Sequence, residues 1–150
     1  MAQSLAKIIV HVAFSTKGRE PCLPETVRPE LWPYAATVLR NLDCPTVQVG
    51  GAADHMHILC VLSKNLTIAQ LVEKSKTATS KWLKTKNNGL GSFHWQNGYG
   101  AFSVSPSHVE RVKEYIATQE EHHRRTTFQD ELRLLLGKYG VGYDERYVWD

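Results

Sequence analysis

Two short groups of residues, far apart in the chain, carry side chains suited to metal-assisted nucleophilic chemistry. The first is His55-Met56-His57, at the start of the apolar run that continues through Ile58, Leu59, Cys60, Val61 and Leu62. The second is Tyr115 with Gln119. A strand projects residues i and i+2 from one face, so His55 and His57 can share a metal ion. A helix brings i and i+4 together, so Tyr115 and Gln119 travel as a pair. Two imidazoles, an amide oxygen and a phenol converging in this way would make a centre able to cut a phosphodiester and hold the product on tyrosine.

The elements that must position these residues can be read from periodicity and punctuation. Leu5 to Phe14 is rich in β-branched and apolar residues and predicts a strand. Gly18 to Pro24 reads as a loop, and Pro29 and Pro33 bracket the start of a helix that continues through Leu31 to Asp43. Thr46 to Val49 predicts a second strand, Gly50-Gly51 part of the following turn, and His55 to Leu62 a third strand. Asn65 or Thr67 can cap a helix reaching about Lys86, with Ile68, Leu71, Val72, Thr79, Trp82 and Leu83 on its buried face and Lys74, Lys81 and Lys84 opposite. Asn87 to Gly91 ends it. Phe93 to Trp95 and Gly100 to Val104 read as short strands around a Gln96-Asn97-Gly98 turn. Ser107 with Glu110 has the spacing of a capping box opening the Tyr115 helix, whose stripe is Val109, Val112 and Ile116. A last helix spans about Phe128 to Lys138, and the aromatic tail from Gly140 to Asp150 is expected to dock. The order strand, helix, strand, strand opens a split βαβ arrangement.

Bulk properties narrow the function classes. A chain of 150 residues, 42% hydrophobic and 22% charged, fits one globular domain over 1–150. No apolar run reaches the roughly 20 residues that span a bilayer. The segment Met1 to Val10 reads as a first strand and not as a signal peptide. Cys22, Cys44 and Cys60 form no Cys-x-x-Cys pattern, which suggests reduced thiols and a cytoplasmic setting. The net charge of +3 is mild, but no Asp or Glu occurs from Lys74 through Val109. That stretch interleaves lysines with Trp82, Phe93, Trp95, Tyr99 and Phe102, a composition suited to phosphates and unpaired bases, or equally to a solvated lysine face over an ordinary core.

The motifs and their order resemble the small single-tyrosine transposases of bacterial insertion sequences, members of the HUH endonuclease superfamily in which U is a bulky hydrophobic residue. Met56 fits U. Gly50-Gly51 ahead of Asp54-His55-Met56-His57-Ile58-Leu59, the helix with Tyr115 and Gln119, and the terminal Tyr139-Gly140-Val141-Gly142-Tyr143-Asp144 also look like that family. REP-associated tyrosine transposases are close relatives. The resemblance implies an α+β fold, a split βαββαβ antiparallel sheet of ferredoxin-like or RRM-like type with helices packed on one side, plus a C-terminal helix carrying the nucleophile. It implies that His55, His57 and Gln119 bind a divalent metal, Mg²⁺ or Mn²⁺, and that Tyr115 attacks single-stranded DNA near hairpin ends to leave a 5′-phosphotyrosine. It implies homodimers in which the tyrosine helix of one subunit commonly completes the histidine site of the other.

Other residues have subsidiary readings. Asp54 can shape a turn or orient the neighbouring imidazole. Lys74, Lys81, Lys84, Arg124 and Arg125 are candidate DNA contacts. His11, His94 and His108 carry no assigned role. The missing Gly-x-x-x-x-Gly-Lys loop agrees with chemistry that needs no nucleotide cofactor. The rival classes are a rolling-circle replication initiator or relaxase, a non-catalytic nucleic-acid-binding module of the same fold, and a structural metal protein, which is disfavoured because no tetrahedral ligand set closes. A histidine-triad hydrolase is disfavoured because position 59 is Leu.

Overall fold

Residues 2–86 and 89–150 are described by the computed structural model. Four strands, β1 (Ile8–Ser15), β2 (Thr46–Ala52), β3 (His55–Leu62) and β4 (Gly100–Ser103), form one sheet in the order β2-β3-β1-β4. Every pairing is antiparallel. Helix α1 (Arg28–Asn41) links β1 to β2, and α2 (Ile68–Lys84) links β3 to β4, completing a βαββαβ unit. Three further helices follow: α3 (Val109–Ala117), α4 (Gln119–His122) and α5 (Phe128–Lys138).

Strand alternation sorts the core into two layers. Val10, Val12 and Phe14 of β1, with Met56, Ile58 and Cys60 of β3, pack against Leu31 and Leu39 of α1 and Leu71, Val72 and Leu83 of α2. The intervening residues face the other way. Ala13 meets Phe128, Leu132 and Leu136 of α5, and Ile9 and Leu59 meet Ile116 of α3. Burial on both faces explains the nearly unbroken apolar runs of β1 and β3. Helices α1 and α2 thus share one side of the sheet, and the C-terminal helices lie over the side that carries His55 and His57.

Several local expectations change. The first strand starts at Ile8, with residues 2–7 outside it. Gly50 and Gly51 are not a turn but the end of β2, and the reversal falls on Ala53 and Asp54. Gly50 is needed for close approach, because a Cβ there would lie 2.7 Å from the Ile116 carbonyl oxygen of α3. Phe93 to Trp95 is not a strand. It makes a single bridge, Thr16 to Trp95, and sends Phe93 and Trp95 into the core beside Phe14. Thr67 caps α2 through a reciprocal box with Gln70. Ser107 and Glu110 form no such box, because a 3-10 turn at Pro106–His108 precedes α3 and the Ser107 hydroxyl bonds His108 instead. The segment carrying Tyr115 and Gln119 breaks at Thr118, so the two residues sit on successive helices. Asn87 and Asn88, assigned from sequence to the end of α2, lie outside the described residues.

The tail docks as expected. The Gly98 backbone N–H donates to the Asp150 carbonyl at 2.8 Å, and Arg19 donates to the Trp149 carbonyl at 2.9 Å. Arg133 of α5 grips Glu145 with two bonds of 2.7 and 3.1 Å. Among the described residues no helix is long and apolar enough to cross a membrane.

Candidate active site

Strand β3 presents His55 and His57 on the face covered by α3–α5, and both are fully buried. Each imidazole is backed on Nδ1 and turns Nε2 toward the C-terminal helices. His55 Nδ1 pairs with Asp54 Oδ1 at 2.7 Å, and His57 Nδ1 pairs with His11 Nε2 at 2.7 Å. On the inner side, His55 Nε2 lies 2.8 Å from Gln119 Oε1, and His57 Nε2 lies 2.8 Å from Glu131 Oε1. Backing one ring nitrogen fixes the orientation of the other.

Tyr115 stands at the same place. Its ring centroid is 5.9 Å from that of His57, nearly perpendicular, and its hydroxyl donates to Glu131 Oε2. Gln119 Nε2 and His123 Nε2 approach the same oxygen at 3.2 and 3.0 Å. The break at Thr118 does not part Tyr115 from Gln119, since Gln119 Nε2 also reaches the Tyr115 carbonyl at 3.3 Å. Within the single chain, Tyr115 lies against His57.

The environment sets the charges. Burial, with imidazoles nearby, holds the His57 pKa below its ordinary value against the pull of Glu131. Burial likewise takes His11 down to about 3. Burial alone would raise the Glu131 carboxyl, but hydrogen bonds from His123 and His57 carry it well below the usual carboxylate range. Burial, reinforced by the Glu131 charge, pushes the Tyr115 phenol well above its normal value. Burial therefore favours the neutral forms of His57 and His11 and the protonated Tyr115 phenol, beside an anionic Glu131 carboxylate.

This donor set fits a divalent metal. His55, His57, His123 and Glu131 offer ligand atoms that all lie within 4.8 Å of one another, and three of the four residues are buried. Neutral imidazole nitrogens and oxygen donors are the ligand types that suit Mn²⁺ and, with waters, Mg²⁺.

The other predicted contacts divide between two faces. Arg124 and Arg125 line a groove of about 520 Å³ with Arg28, Asp54 and His123, next to the histidines. Lys74, Lys81 and Lys84 are exposed on α2, across the sheet from Tyr115. Of the aromatics interleaved with them, Phe93, Trp95 and Phe102 are buried, Trp82 stacks on Tyr34, and Tyr99 is exposed. Most of the aromatics of that stretch thus belong to the core, and the lysines stay on the surface.

Sequence reasoning passed over His11, His123 and Glu131. Each had a weak signal. His11 alternates with Ile9 and Ala13 on β1, His123 lies four residues beyond Gln119, and Glu131 falls on the inward stripe of α5 between Phe128 and Leu132. An acid on an apolar stripe is the most informative of the three, because an unpaired buried carboxylate is unfavourable.

Comparison with known proteins agrees with this architecture. The family model described as "Transposase IS200 like" matches residues 4–119, and the chain belongs to that family. No curated protein matches significantly. Among solved structures, the chain resembles a candidate transposase from Deinococcus radiodurans R1 at a TM-score of 0.62 and 20% identity, covering 80% of this chain and 96% of that one. It also resembles a REP-associated tyrosine transposase bound to a REP hairpin, at a TM-score of 0.59 and 14% identity, covering 82% and 73%. At these identities the likeness is one of fold. Membership of a transposase family makes cutting and rejoining of DNA the class of reaction.

Proposed function

We propose that this chain is a metal-dependent transposase that cleaves and rejoins single-stranded DNA at insertion-sequence ends through a covalent bond to Tyr115. The observation that carries the reading is that the Tyr115 hydroxyl, the His57 imidazole and the Gln119 amide meet on the one Glu131 carboxylate, with His55 bonded to Gln119 beside them. His55, His57 and Gln119 would hold Mg²⁺ or Mn²⁺, oriented by Asp54 and His11 behind the two imidazoles. A bound divalent ion supplies positive charge to polarise the scissile phosphate and to favour the ionised phenol.

The residues account for the rest. The Tyr115 oxygen attacks phosphorus, the bond to the 3′-oxygen breaks, and the products are a 5′-phosphotyrosine and a free 3′-hydroxyl. The phenol proton leaves as the bond forms, which the raised Tyr115 pKa makes the demanding part of the step. An incoming 3′-hydroxyl reverses the reaction on a new strand, so no nucleotide triphosphate is consumed. Arg124 and Arg125 would bind phosphates flanking the cut, and Lys74, Lys81 and Lys84 would bind duplex at a distance, as in a hairpin stem. The solved relative holding a REP hairpin supports hairpin recognition here. The assembly is a homodimer with sites shared between subunits, as the resemblance implies.

The test is incubation with labelled single-stranded DNA carrying the element end, with and without Mn²⁺, resolved on a denaturing gel. A metal-dependent protein–DNA adduct is expected, and Tyr115→Phe should abolish it while leaving DNA affinity within about twofold. Cleavage that survives Tyr115→Phe removes the tyrosine mechanism. Tight binding with no adduct on the correct end identifies a non-catalytic binding module.

A further inference from the structure

We propose that Glu131 is an anionic ligand of the metal centre and at the same time the anchor of the Tyr115 hydroxyl, coupling nucleophile to metal through one carboxylate. The inference rests on the metal-dependent tyrosine mechanism above and extends it beyond the two histidines and the glutamine.

The first argument is charge. Glu131 is only 2% exposed. Among the described residues no Lys or Arg lies within ion-pair distance of it, and the only titratable nitrogens that near are imidazoles. The contrast with other acids of the chain is plain, since Glu120 is held by Arg28 at 2.7 Å and Glu145 by Arg133 at 2.7 Å. An ionised carboxylate taken out of water with no permanent cation is strongly unfavourable. A divalent cation among the imidazoles supplies the missing charge.

The second argument is geometry. Glu131 divides its two oxygens between the two parts of the site. Oε1 lies 2.8 Å from His57 Nε2 and 4.0 Å from His55 Nε2. Atoms bound to one ion at about 2.1 Å and at right angles stand about 3 Å apart, so Oε1 and His57 Nε2 have the spacing of neighbouring ligands. Oε2 accepts from Tyr115, Gln119 and His123. The carboxylate that would neutralise the metal therefore also fixes where the attacking oxygen sits. Phe128, packed on the His55 ring at 4.9 Å, and Leu132, on Ala13 and Phe102, hold this turn of α5 against the sheet.

The test measures metal binding without DNA. Mn²⁺ is titrated into purified wild-type protein and Glu131→Gln, and free Mn²⁺ is read by electron paramagnetic resonance. Glutamine preserves shape but removes the charge, and the expected result is a Kd raised about 10–100-fold, together with a similar rise in the Mn²⁺ concentration that half-saturates adduct formation. An unchanged Kd in Glu131→Gln overturns the inference and leaves the tyrosine mechanism standing. A wild-type chain that binds no Mn²⁺ overturns both. Should Glu131→Gln not fold, infrared difference spectra of the wild-type chain with ¹³C-labelled glutamate decide the matter. A carboxylate band that shifts on adding Mn²⁺ in the wild type and is missing from labelled Glu131→Asp supports ligation by Glu131, and no shift rules it out.

Discussion

Stacking two imidazoles behind one another has consequences for single residues. His57 is held by His11 on Nδ1 and Glu131 on Nε2, and His11 and His57 stack with ring centroids 5.0 Å apart. Both pKa values are depressed chiefly by burial, His11 to about 3. Below about pH 6.5 the unfolded chain takes up protons that the folded chain refuses, so stability falls as pH falls through the window between about 6.5 and about 3 for His11. The slope expected from one such histidine is about 1.4 kcal/mol per pH unit. In EDTA the urea midpoint should therefore drop clearly between about pH 7 and pH 5, and His11→Asn should flatten the drop. A midpoint that does not move would show that the pair takes up its protons inside the fold. Neutrality also serves function, because an imidazole that is already unprotonated needs to lose no proton to bind a cation.

At the scale of elements, the position of the nucleophile depends on how closely α3 lies on β2. Gly50 makes that approach, with the Ile116 carbonyl where a side chain would otherwise begin. Gly50→Ala should push back the turn that carries Tyr115. We expect a loss of about 1–3 kcal/mol in stability and a fall of about 10–100-fold in the rate of adduct formation, with Mn²⁺ affinity changed less than the rate. An equal fall in both would mean that β3, not α3, had moved. A second element-level device is Lys76 of α2. Its ammonium donates to the carbonyls of Gln96, Asn97 and Gly98 at 2.7, 3.2 and 2.7 Å, and burial draws its pKa down to about 8. It clamps the loop to which the tail is bound. Lys76→Met should cost about 2 kcal/mol in thermal or urea unfolding; an unchanged midpoint would show that the carbonyls re-pair with water. These cases show what the sequence made legible. Periodicity exposed the opening strand-helix-strand-strand order, the family resemblance implied the rest of the βαββαβ sheet, and strand alternation paired His55 with His57. Gly50-Gly51 read as a turn because local chemistry favours one, whereas the real requirement is a contact with Ile116, 66 residues away. Glu131 read as an ordinary acid in the first turn of α5, because its partners lie on β3 and α3 and nothing local marks them.

For the whole molecule, the question is whether a tyrosine can serve a neighbouring subunit. The resemblance implies sharing of sites between protomers, yet Tyr115 here meets the histidines of its own chain. Moving it to a partner would peel α3–α5 from the sheet and expose Ile116, Phe128, Leu132 and Leu136, all at most 6% exposed. At about 1.5–3 kcal/mol for each side chain, the loss is on the order of 6–12 kcal/mol. That approaches the full stability of an ordinary domain, about 5–15 kcal/mol. An exchanged arrangement would have to rebuild the same packing across the interface, with the linkers at residues 104–108 long enough to allow it. Two inactive chains decide between the arrangements. Tyr115→Phe keeps the histidines, and His57→Ala keeps the tyrosine. If each site is built within one chain, mixing them at equal concentration yields no adduct above either variant alone. If protomers exchange helices, mixing restores adduct, with the label on the His57→Ala chain, whose tyrosine would then be working in its partner's intact histidine site.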